Sequence, residues 1–274
     1  MEKRVFRTAG FGGRLLNGAL LFLSAVVLLS GLATGGAGDS MSVAVKPTET
    51  PIPLEEAFDE TPDSREWTTP RQLWYALQLG TFDNAESAKE LAGQYRQRGA
   101  AGFVWEDNRF RTLAALYVSR EDAQGVRTKL WENHGIDAYP YEIELPALTL
   151  RMSGMKGQLD AMQAAFERGQ ELIAALQDLS TRMDRQETTV GEAQTELQAL
   201  RESARTVSLR LQQRFAKPRH ASVDALIALF DELTAFCDAL PKEPSAVELA
   251  TDVKYQALST LYRLKTVCDQ MSAT

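Results

Sequence analysis

The sequence predicts an α+β protein in three parts: an N-terminal transmembrane helix, a small βαββαβ module, and a C-terminal antiparallel helical bundle or coiled coil. Three observations carry this reading. An uncharged apolar run fills positions 15–34, strand-like and helix-like periodicities alternate over 73–145, and apolar residues recur at 3–4 spacing from Met155 to Cys268.

The apolar run, Leu15 to Thr34, follows a segment (1–14) that holds Lys3, Arg4, Arg7 and Arg14 against the single acid Glu2. About twenty residues at about 1.5 Å rise each span a bilayer core of about 30 Å. The basic flank, with Asp39, Glu49, Glu55 and Glu56 beyond the run, orients the N-terminus toward the cytoplasm and sends the rest of the chain outside. A cleaved signal peptide is the competing reading, since small residues crowd Ala33 to Gly38. Signal-peptide apolar regions run to about 7–15 residues, so the longer run here favours an uncleaved anchor in the cell membrane.

Residues 35–70 read as a tether. Pro47, Pro51, Pro53, Pro62 and Pro70, with an excess of acids, leave too little apolar surface to offset the entropy of ordering the segment. The folded module is expected over 71–148. LWYALQLGTF (73–82) is a strand. Asp83 and Glu86 have capping-box spacing before a helix whose Ala88, Leu91, Ala92 and Tyr95 recur on one face, and Gly99 ends it. AGFVWE (101–106) and RFRTLAALYV (109–118) form a second and third strand around Asp107-Asn108. Ser119 and Asp122 open a second helix, closed by His134-Gly135, and IDAYPYEIEL (136–145) is the fourth strand. The halves echo each other, with Phe82, Glu86, Ala88 and Leu91 matching Tyr117, Glu121, Ala123 and Val126. This order implies a four-stranded antiparallel sheet with both helices on one face and the other face free to bind.

This stretch resembles the SPOR domain, a peptidoglycan-binding module of bacterial division and sporulation proteins with an RNP/ferredoxin-like fold. ALQLGTF (76–82), followed by Asn84 and AESAKEL, is similar to the family's first-strand signature. FRTLAALYVSREDAQ (110–124) is similar to its second-half signature, with Ala115-Leu116-Tyr117 where the family has Gly-Pro-Phe. The resemblance implies that the helix-free face binds glycan strands stripped of stem peptides. It also implies that Gln78 contacts sugar, as an amide able both to donate to and accept from hydroxyl and N-acetyl groups. Strand alternation sends Ala76, Gln78 and Gly80 to that face and Leu77 and Leu79 toward the helices. Arg111 and Ala115 are expected to share it, with Trp74 placed to stack on a pyranose. Trp105, Tyr139 and Tyr141 stand equally between core and sugar contact, and Arg111 has Glu106 or Asp107 as possible ion-pair partners. RNA-binding domains share the βαββαβ fold. Export and the balance of 37 acidic against 30 basic residues, without a basic tract, argue against a nucleic-acid partner.

Beyond residue 150 the apolar seam Met155, Leu159, Met162, Phe166, Ile173, Leu176, Leu179 and Met183 breaks phase at MDRQETTVGE (183–192). Thr189 and Glu192 offer a new capping box, so a turn and two antiparallel helices are favoured over one continuous rod. Pro218, Pro241 and Pro244 delimit two more helices, giving an up-down bundle over 150–274 whose apolar stripe is core or a surface for a partner or self-association. Cys237 and Cys268 are expected as buried thiols, a disulfide being the alternative. Two scattered histidines supply no metal site, and no Gly-rich phosphate loop, HExxH or Gly-x-Ser-x-Gly motif occurs. The chain is therefore expected to bind rather than catalyse, without metal or cofactor.

Overall fold

A computed structural model of the protein describes residues 61–272. The expected transmembrane helix at 15–34 lies outside these, and no helix among the described residues is long and apolar enough to cross a membrane.

The βαββαβ module is present as β2 (Gln72–Phe82), α1 (Ala85–Arg96), β3 (Phe103–Glu106), β4 (Phe110–Tyr117), α2 (Arg120–His134) and β5 (Tyr139–Leu145). Its strands run antiparallel in the order β3-β4-β2-β5. Local chemistry fixes the helix ends. Asn84, rather than Asp83, caps α1 by accepting from the Ser87 N–H at 2.9 Å, and Ser119 caps α2 by accepting from the Asp122 N–H at 3.0 Å. Gly135 closes α2 at φ 62°, a conformation that only a residue without Cβ adopts cheaply. Both helices lie on one face, where Leu77, Ala114 and Leu130 are buried with half-buried Leu79, Tyr95 and Val126. The Thr112 hydroxyl donates to the Ala88 carbonyl at 2.9 Å and ties β4 to α1.

Residues 62–69 were expected to be tether, but they form a strand, β1 (Pro62–Thr69), paired with a strand outside the sequence-based reading, β6 (Leu148–Met155). Thr69 faces Leu148 and Gln72 faces Leu145, so the β1–β6 ribbon continues the β2–β5 register. The ladder is interrupted only where Pro70 and Pro146 each lack the N–H a ladder needs. Trp67 anchors the ribbon on the helix that follows it, its ring edge-on to Phe166 with centroids 5.1 Å apart. Met155 thus ends a strand and is exposed instead of opening the helical seam.

Four helices follow: α3 (Lys156–Asp184), α4 (Val190–Arg214), α5 (Ala221–Ala239) and α6 (Ala246–Ser272). The capping box at Thr189 and Glu192 is formed, and α3 and α4 are separate helices. Each of α3 and α5 packs on both α4 and α6, as in an up-down bundle. Cys237 and Cys268 are free and buried in its core, and burial pushes both thiols up to about 12.

The second face of the sheet is not open, contrary to expectation. Helix α6 crosses it from β3 toward β5, and Trp74, Ala76, Phe103, Trp105, Leu113, Leu116 and Ile143 join the bundle side chains in one core. Tyr262 stands edge-on to Trp105, centroids 4.9 Å apart, and Tyr255 packs against Phe103 at 5.2 Å. Offset and edge-on aromatic pairs contribute about 0.5–1.5 kcal/mol beyond their area. The buried Lys254 ammonium bridges the two bodies, 2.6 Å from the Asp184 carboxylate of α3 and donating to the Gly99 carbonyl at 3.0 Å. A buried charge is tolerated only with such partners.

Candidate functional site

Two irregularities in the pairing of β2 with β4 decide which side chains meet. Ala76 pairs with Leu116, Gln78 with Leu113, and Gly80 with Thr112, so one extra residue lies in β4 between Leu113 and Leu116, and another in β2 at Leu79. Trp74, Ala76 and Gln78 keep one face. Past the second bulge the alternation flips, and Gly80 turns toward α1, where an added Cβ would lie 2.8 Å from Leu91 Cδ2. Gly80 therefore belongs to the helix packing and not to the proposed binding face. Ala115, beside the other bulge and 8% exposed, lines a cavity of about 590 Å³ with Tyr117, Asp184 and Lys254, away from Gln78. Trp74, 6% exposed, lies under the bundle rather than on an open surface.

Of the five residues singled out from sequence, the structure brings together Gln78 and Arg111. Arg111 is the centre of a cluster at the end of the sheet that α6 leaves open. Its Nη1 donates to Gln78 Oε1 at 2.9 Å, and its Nε donates to Asp107 Oδ2 at 2.9 Å. Its guanidinium lies over the Tyr141 ring, 4.5 Å from the centroid. The Tyr141 hydroxyl donates to the same Asp107 oxygen at 2.7 Å. Tyr139, 47% exposed and paired with Gln78 across the β2–β5 ladder, extends the cluster to the sheet edge.

The electrostatics follow from these contacts. Partial burial works against ionisation of Asp107, but hydrogen bonds from Tyr141 and Arg111 outweigh it and hold the carboxyl below its ordinary range. Burial and the bond to Asp107 push the Tyr141 phenol up to about 12. Arg111 is thus held between an acceptor on each side, and among the described residues the Gln78 Nε2 donor meets no acceptor. An amide donor, a guanidinium edge and two tyrosine rings on a shallow, half-exposed surface can hydrogen-bond hydroxyl and N-acetyl groups and stack on a sugar ring.

Asp107, Tyr139 and Tyr141 are the members that sequence reasoning did not assign. Their signal was register: once Gln78 is set opposite Tyr139, Tyr141 falls on the same face. Among the described residues no three His, Cys, Asp or Glu side chains gather as metal ligands.

Residues 75–141 match the family model of the SPOR domain. No curated protein and no solved structure matches the chain.

Proposed function

We propose that, through its SPOR domain at 75–141, this protein binds peptidoglycan as a single-pass envelope protein, with its folded parts outside the cytoplasm and a role in cell division or wall remodelling. The domain is a binding module and has no catalytic part in this reading. The observation that carries it is the Gln78–Arg111–Tyr141 cluster, which aligns an amide, a guanidinium and an aromatic ring at the one end of the sheet face left open. Glycan strands freed of stem peptides offer the hydroxyl and N-acetyl groups that such a set recognises. The uncharged run at 15–34 supports the anchor, and the basic segment before it supports the orientation.

The test is co-sedimentation of the full-length protein with purified peptidoglycan, intact and after amidase treatment. Binding that increases on denuded glycan, and weakens in Gln78→Ala, is the expected result. Absence of binding to either form would overturn the reading.

One observation favours a second reading, a membrane-anchored scaffold that acts through its helical bundle. Helix α6 covers the part of the sheet on which Trp74 and Trp105 lie, as expected if the SPOR fold serves as a structural support. Localisation to the division site that survives deletion of 73–145 would select the scaffold.

A further inference from the structure

We infer that the helical bundle is an internal mask. In the closed arrangement α6 covers most of the glycan-binding face, and a glycan strand gains that face when the sheet swings off α6 about Pro70 and Pro146. The inference rests on the proposed binding of glycan by the SPOR domain.

The face is continuous beneath the helix. On β2, Trp74 and Ala76 lie on the same side as Gln78, and on β5, Ile143 lies on the same side as Tyr141 and Tyr139. The exposed cluster is therefore one end of a longer surface whose remainder is aromatic and apolar. Trp74 carries the sign that this cover is not permanent. The residue is 6% exposed, yet its Nε1 meets no hydrogen-bond acceptor among the described residues. Buried donors in native cores are nearly always satisfied, and one left without a partner calls for an explanation. A ring with a free N–H, on the same face as Gln78 and further along the strand, is suited to stack on a pyranose and donate to its hydroxyls.

The contacts of the mask suit a reversible latch. At its rim, Arg96 of α1 pairs with Asp252 of α6 at 2.5 Å and lies over the Tyr255 ring at 4.9 Å, with both charged side chains partly exposed. Lys254 reaches across to a backbone carbonyl rather than to a charge, so on release it keeps its carboxylate partner Asp184 within the bundle. The connection to the bundle is narrow. Only the two strands of the ribbon join the sheet to it covalently, and both lack a ladder N–H at the same level, at Pro70 and Pro146. Rotation there leaves the β1–β6 ribbon docked through Trp67 on Phe166 while the sheet moves.

A site exposed only in a minor open state binds with its affinity reduced by the open fraction. Tyr262→Ala removes the edge-on contact with Trp105, and in the full-length protein it should tighten binding to denuded glycan strands about tenfold by enlarging that fraction. Trp74→Phe, which keeps a ring and loses the N–H, should weaken binding. The decisive measurement needs no variant: amide hydrogen exchange of full-length wild type, with and without saturating denuded glycan. Faster exchange over 252–262 of α6 on saturation is the expected result. Glycan binding that depends on Gln78 but leaves α6 exchange unchanged would overturn the mask and leave the proposed function standing. If neither wild type nor Tyr262→Ala binds glycan, the proposed function itself fails, and the mask with it.

Discussion

Arg111 donates to the side-chain oxygen of Gln78 across the β2–β4 pair at 2.9 Å, so each of the two side chains holds the other in place. Gln78→Ala removes both the free amide donor and the acceptor that orients Arg111. Lost hydrogen bonds contribute about 0.5–1.5 kcal/mol each, so several-fold weaker glycan binding is expected in co-sedimentation. The thermal midpoint should hardly change, because truncation of a partly exposed polar residue usually alters stability by no more than about 0.5 kcal/mol. Leu77→Ala is the contrast. Leu77 is 1% exposed against the helices, and its truncation should destabilise by about 2–5 kcal/mol in denaturant titration. Equal loss of stability in the two variants would show that Gln78 is structural.

Asp107 sets the acid limit of the same cluster. Its native carboxyl is depressed below the ordinary value of 3.8, so the bonds from Arg111 and Tyr141 stabilise the fold at every pH above that value. This contribution is lost only as pH falls through the depressed native value. Carboxyl carbon resonances followed from pH 7 downward should show Asp107 protonating after the exposed carboxylates, and an Asp107 midpoint above 3.8 would refute the assignment. At the other extreme, the Tyr141 phenol should ionise near pH 12, well after a free tyrosine.

Residues 71–148 on their own should fare worse than the module's sequence suggests. Released from the bundle, the sheet exposes Trp74, Phe103, Trp105, Leu113 and Ile143 on one side. A contiguous apolar patch of this kind promotes self-association. The excised fragment should bind a hydrophobic dye strongly and elute above its monomer mass, whereas residues 61–272 should elute as expected for their length. A monomeric fragment that binds no dye would mean that the face is far less apolar than its residues imply.

The two cysteines should be inert in the native state. Burial pushes both thiols up to about 12, so almost no thiolate exists at neutral pH, and Cys237 donates to the Leu197 carbonyl at 3.5 Å. Labelling of unreduced protein should find both thiols after denaturation and neither before it.

The alternation of strand and helix periods made the βαββαβ order legible, and the phase break at 183–192 made the α3–α4 turn legible. The ribbon was missed for a physical reason. In PDSREWTT the inward positions Trp67 and Thr69 form only a short alternation after polar residues, and Pro62 and Pro70 bracket it like linker residues. Gly80 and Ala115 lie off the face that strand alternation predicts for them, because a bulge reverses inside and outside without a residue type that marks it. The covering of Trp74 did leave a trace. Helix α6 buries Lys254, Gln256 and Thr260 as well as its apolar stripe, as a helix does when it packs between a bundle and a sheet.

Thr69 and Leu148 face each other in the ribbon, and at its base the Lys156 N–H donates to the Thr61 carbonyl at 2.9 Å. Topologically the SPOR module is thus a guest carried at the tip of a hairpin, and the bundle is its host. Excising everything between the paired Thr69 and Leu148 leaves two strands that a two-residue turn can join, with every connection among α3, α4, α5 and α6 intact. The outer side of α6 and the end of α3 around Asp184 would lose their cover. A chain wired in this way can gain, lose or exchange its tip without rethreading the rest, so recognition and support are free to diversify separately.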